Sequence, residues 1–124
     1  MKVTSNLAKA LAINRVAFGL GYIAAPEQTG KGWVGKVAEN GGTTVLTRAL
    51  GARDLVLGVG ALWAMRSGSQ AARPWFAAHA VADATDLAAT VAARDSLPES
   101  GFRFGALMAG ASTAIAIVGA ASAN

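Results

Sequence analysis

Six ionisable side chains carry whatever chemistry this sequence has: Arg48, Arg53 and Asp54, then His79, Asp83 and Asp86. All six interrupt otherwise apolar stretches. His79, Asp83 and Asp86 follow one another at spacings of four and three, which is one stripe of a helix, and Trp75 stands a turn earlier. Arg48, Gly51, Asp54, Leu55 and Gly58 share one face of a second helix. Arg53 lies well over a quarter turn from that face, so it must reach a different helix or run along the surface. Two carboxylates held close give up their protons unequally, as general acid/base work requires. Asp83 and Asp86 therefore read as acid/base or ligand groups, with Asp54 the third candidate catalytic residue as their orienting partner. Arg48 and Arg53 read as charge stabilisers for an anion or carbonyl, His79 as a modulator and Trp75 as a ligand-binding neighbour on the same stripe.

Other chemistries fit the residues less well. His79, Asp83 and Asp86 are acceptable metal ligands, but there is one His in the chain and no second cluster, so no metal is expected. The absence of Cys removes disulfide scaffolds, thiolate zinc sites, iron–sulfur clusters and cysteine nucleophiles. No Ser stands in a nucleophile-elbow setting. The glycines at 30, 32, 35, 41 and 42 lack a GKS or GKT element and a following strand, so they read as turns and helix stops. Trp33-Val34-Gly35-Lys36-Val37 reads as a short interfacial segment anchored by Trp33. No cofactor is called for.

The elements that must position these side chains are four apolar stretches, about residues 10–25, 45–65, 75–93 and 104–121, in one domain covering 1–124. The composition agrees: 53% hydrophobic, 15% charged and a mean hydropathy of +0.41. A soluble chain carries about 25% charged residues. Roughly 20 helical residues span a 30 Å hydrocarbon core, and the connections are short. The expectation is an all-α, four-transmembrane-helix bundle running up-down-up-down. A soluble Ala-rich bundle is the competing reading, but such a helix needs a charged outer face, and residues 105–124 hold no charge at all. No stretch alternates with period two, so strands are not expected.

An ionised side chain at bilayer depth costs at least about 2.5–3.5 kcal/mol, so these groups must find partners inside the bundle. Counting along the spans puts Arg53 and Asp54 about 12 and 14 Å from the outer end of the second. Asp86 and Asp83 lie about 10 and 15 Å from the same end of the third, which runs the opposite way. Those four therefore share a layer between adjacent helices. An alternative role for this layer is a purely structural ion-paired core that fixes helix register. Arg15 is ambiguous, either snorkelling or closing the floor near His79. It also breaks the first apolar run, which speaks against a cleaved signal peptide. The fourth span offers small residues at three- and four-residue spacing, as helix-packing or oligomer contacts use.

The pI near 10.1 comes from basic residues scattered singly, with no Lys/Arg stripe, so nucleic acid is not an expected partner. Lys2, Lys9, Arg66 and Arg73 mark the acid-free ends. By the positive-inside rule both termini face the cytoplasm, in the cell's inner (plasma) membrane.

The run Arg48-Ala-Leu-Gly51-Ala-Arg53-Asp54-Leu-Val-Leu-Gly58, followed by Asp83-Ala-Thr-Asp86-Leu87, resembles a group of small bacterial membrane proteins related to the DoxX-type four-helix families. The Pro26…Trp33-Val-Gly35 connection is also similar, and the likeness covers nearly the whole chain. It implies a four-span bundle with the Arg/Asp cluster as the shared feature. DoxX-like members are associated with redox or quinone-linked assemblies, but the Cys residues that thiol redox chemistry needs are absent here. The function expected is binding, or binding and transformation, of a small hydrophobic ligand such as a lipid, isoprenoid or quinone. A non-catalytic accessory or scaffold subunit of a membrane complex, or a homo-oligomer, is the alternative.

Overall fold

The computed structural model describes residues 2–122, with side chains from Thr4 onward. Lys2, counted above among the N-terminal charges, thus has its side chain outside the described residues, as do Ala123 and Asn124 entirely. The described chain is all-α: α1 (Lys2–Ala24), α2 (Pro26–Val34), α3 (Gly41–Arg66), α4 (Ser69–Ala92) and α5 (Glu99–Ala121). Two of these, α1 over Thr4–Ala24 and α5, are long and apolar enough to cross a membrane.

Local chemistry sets the boundaries. Ala25 precedes a proline and takes φ −137°, ψ 67°, which ends α1. Pro26 then opens α2 at a position whose missing N–H has no helical partner to lose. Gly35, at φ 73°, closes α2 in a conformation that favours glycine. Asn40 caps α3 by accepting the Gly42 N–H on its side chain at 2.9 Å. Ser67 and Gly68, the latter at φ 112°, make the tight turn into α4. The long helices begin earlier than the apolar runs, because hydrogen bonding carries a helix through polar residues such as Ser69, Gln70 and Glu99 once it is nucleated. The stretch between the first two spans is likewise helical, as α2 and a 3₁₀ turn over Gly35–Glu39, where turns, helix stops and a short interfacial segment were expected.

Neighbouring helices run antiparallel. Gly19 of α1 lies against Gly51 and Leu55 of α3, and further along Gly58 lies against Ala12 and Val16. A Cβ added at Gly51 or Gly58 falls 2.7 Å from atoms of α1, so backbone touches backbone there. Trp75 of α4 lays its ring on Gly60 of α3, and Phe76 meets Gly119 of α5. Ala8, Ala12, Ala61, Ala64, Ala72 and Phe76 form the buried core at that end of the molecule. Helices α1–α3 and α4–α5 pack closely, whereas α1 and α5 meet along a sparser seam.

Several ionisable side chains are interior and several large apolar ones are not. Arg15, Asp54, His79 and Asp83 are buried, while Leu46, Val56, Trp63, Val81 and Leu107 lie on the outside, each more than half exposed. Only 22% of the most apolar stretch of α5 is buried.

Candidate functional site

Arg15 stands at the centre of the site, 6% exposed, and reaches from α1 to two other helices. Its Nη1 donates to Asp54 Oδ1 on α3 at 2.8 Å, and its Nη2 donates to Asp83 Oδ1 on α4. Arg53 extends the chain of pairs. Its Nη2 and Nε donate to Asp54 Oδ1 at 2.9 and 3.1 Å, and its Nη1 and Nη2 grip Asp86 through both carboxylate oxygens at 3.0 and 2.7 Å. The order is Asp83, Arg15, Asp54, Arg53, Asp86, and it ties three helices together. Burying these charges costs several kcal/mol per ion, and such geometry is what offsets it.

The arrangement leaves three buried polar atoms without a hydrogen-bond partner: Arg15 Nε, Asp83 Oδ2 and His79 Nδ1. His79 is fully buried. Its Nε2 lies 2.9 Å from the Leu57 carbonyl. A carbonyl only accepts, so Nε2 carries the proton and Nδ1 is the open acceptor. The ring sits 5.5 Å from that of Phe76.

A cavity of about 70 Å³ adjoins the ion pairs. Arg15, Asp54, Asp83 and Asp86 line its polar side, and Phe18, Tyr22, Trp33 and Phe104 its aromatic side. Phe18 bridges the aromatic set, with ring centroids 5.9 Å from Tyr22 and 6.4 Å from Phe104. Trp33 closes one end. Its indole N–H donates to Thr90 Oγ1 at 3.0 Å, and that hydroxyl donates to the Asp86 carbonyl at 2.7 Å. Gly105 makes room for the ring, since a Cβ there falls 2.2 Å from Trp33 Nε1. The cavity lies under the α1–α5 seam, where Asn14 is exposed and Phe18, Met108 and Ser112 are half-buried.

Set against the sequence reading, Arg53, Asp54, Asp83 and Asp86 come together as one layer. Arg53 reaches α4 despite its angular position, because its long side chain swings across to Asp86. Four assignments change. Arg48 is outside the cluster: it is exposed, and its Nε donates to the Ile23 carbonyl at 3.3 Å. Trp75 packs on Gly60 and does not line the cavity. His79 forms no ion pair among the described residues, so it does not supply the expected balancing charge. Trp33 also turns inward onto Thr90 and Gly105 rather than serving as an interfacial anchor.

Sequence reasoning left Arg15 between snorkelling and closing the floor near His79, and it did not place the aromatic walls. The signal was present, since Leu11, Arg15, Phe18 and Tyr22 recur at spacings of four, three and four, one stripe of α1. His79, Asp83 and Asp86 do not converge as a ligand set, because Asp86 spends both oxygens on Arg53 and His79 Nε2 faces a carbonyl.

Comparison of the chain with protein-family models, with curated proteins and with solved structures finds no match.

Proposed function

We propose that this chain is a multi-pass membrane protein whose Arg/Asp layer receives the polar head of a small hydrophobic ligand of the lipid, isoprenoid or quinone kind. What supports the reading is the cavity, where three carboxylates meet aromatic walls beneath the sparse α1–α5 seam. At about 70 Å³ it accepts a headgroup, not a whole molecule. Drug-sized ligands occupy roughly 300–1,000 Å³. The ligand's tail leaves through the seam between α1 and α5 into the surrounding apolar phase. In this reading all four long helices cross the inner membrane up-down-up-down, with Lys9, Arg66 and Arg73 at the cytoplasmic end. The ligand contacts fall to Asp83 and Asp86, or to acid/base work by them, and the arginines hold those carboxylates in place. Membership of the DoxX-like group belongs to the same proposal.

The test is native mass spectrometry of the chain purified in a mild detergent. A bound small molecule accompanies the wild type. Ser112→Leu, which fills the cavity from its half-exposed edge, loses that molecule and keeps its melting temperature. Retention of the same molecule by Ser112→Leu contradicts the reading.

A second reading has one observation in its favour: the two guanidiniums are almost wholly spent on aspartates of neighbouring helices. In that reading the layer is a structural lock within an accessory or scaffold subunit, and the apolar outer faces meet a second copy or a partner subunit. It expects no bound molecule, and loss of detergent stability with Asp83→Asn or Asp86→Asn.

A further inference from the structure

Resting on the ligand reading above, we propose that the headgroup taken by this cavity is a hydrogen-bond-donating cation of the alkylammonium class. Among the described residues, the charges around the cavity come from three helices. α1 brings Arg15, α3 brings Arg53 and Asp54, and α4 brings Asp83 and Asp86. His79, also on α4, turns its N–H to the Leu57 carbonyl. α2 contributes Trp33 and α5 contributes only uncharged lining residues. Three carboxylates thus face two guanidiniums, and in their ordinary ionised forms the five groups carry one net negative charge.

The hydrogen bonding has the same sign. Both Nη atoms of Arg15 are engaged, and Arg53 does not line the cavity. A carboxylate or phosphate bound there shares the Arg15 guanidinium with Asp54 and Asp83. Acceptors are left as well. Asp83 Oδ2 has no partner, and the bonds that Asp54 accepts from both arginines all end on its Oδ1. Arg15 Nε is the one buried nitrogen of these five groups without a partner, so an anionic head meets that donor and the neutral side chains of Asn14, Tyr22 and Ser112 against three carboxylates. An ammonium head supplies donors to the open oxygens and cancels the excess charge. The remaining walls fit it too: Phe18, Tyr22, Trp33 and Phe104 belong to the side-chain class that attracts cations through the ring quadrupole.

The experiment compares three twelve- to ten-carbon amphiphiles that differ in head charge: dodecylammonium chloride, sodium dodecanoate and decylubiquinone. Each is titrated at pH 7 into the full chain in dodecyl maltoside, and tryptophan fluorescence is read in a Trp63→Phe background, which removes the exposed outer indole. The expected result is saturable binding of the amine with a Kd at least tenfold below those of the other two. Asp83→Asn weakens it at least tenfold. Phe104→Leu, which keeps every ion pair and removes one ring, weakens the amine several-fold and leaves the other two unchanged. Tighter saturable binding of the carboxylate or quinone, abolished by Ser112→Leu, overturns the cation assignment while leaving a ligand cavity in place. No saturation by any of the three overturns both. Amine binding indifferent to both Asp83→Asn and Phe104→Leu places the amine elsewhere and overturns the assignment.

Discussion

Removing the Arg15 guanidinium leaves Asp83 with no partner and takes one of two guanidiniums from Asp54, both carboxylates lying in the interior. Breaking a buried pair by deleting one partner costs about 3–5 kcal/mol, because the surviving charge stays buried. Arg15→Ala is therefore expected to lose most of the stability of the fold. Arg48→Ala, on an exposed side chain bonded to one carbonyl, is expected to change it by less than about 1 kcal/mol. Reversible unfolding in mixed detergent micelles, followed by circular dichroism, measures both. Equal losses for the two variants contradict the assignment of Arg15 as the hub. The contrast between these arginines was only half legible in the sequence. Asp54 and Asp83 are buried, and a buried carboxylate needs a cation. Which cation each took depended on side-chain reach, and helical phase fixes only where a side chain starts. Arg53 crosses to Asp86 for that reason, and Arg48 stays out because its guanidinium finds the end of α1 first.

Helix existence was readable from apolar runs at the length of a membrane span. The helix ends were not, because polar residues propagate a helix that is already nucleated. Pairing between elements was partly readable: the short Ser67–Gly68 turn forces α3 and α4 to be antiparallel neighbours. The sequence pointed to the small residues of α5 as packing material, and Gly101 and Gly105 do lie tight against Trp33 of α2, while α1 and α3 approach closely at Gly19, Gly51 and Gly58. A stripe of small residues shows that a close approach is available without naming the partner that uses it. Gly58→Leu drives a side chain into the Ala12 carbonyl and the Val16 side chain, so α1 and α3 must separate. Overpacking of this kind costs about 1–3 kcal/mol, and here it also pulls Arg15 away from Asp54. Gly110→Leu, which meets nothing within 4 Å, is expected to leave stability unchanged or to raise it slightly through better helix propensity. The pair of melting curves in one detergent decides the point, and a destabilised Gly110→Leu points to an unrecognised contact on α5.

Among the described residues, alanines, a few larger apolar side chains and paired charges fill the interior, and many large apolar residues lie outside. The proposed membrane setting accounts for that distribution, since apolar side chains gain nothing by leaving lipid and ionised ones must leave it. The sequence lacks Cys, so single reporters can be introduced without altering any native thiol. Val56, Val81 and Leu107 lie near the middles of α3, α4 and α5 and are 61%, 68% and 72% exposed. The decisive measurement is power-saturation electron paramagnetic resonance of a nitroxide attached to Val56→Cys, Val81→Cys or Leu107→Cys in lipid vesicles. The account predicts strong relaxation by oxygen and almost none by an aqueous nickel chelate at all three positions. Strong relaxation by the nickel chelate at these sites contradicts it.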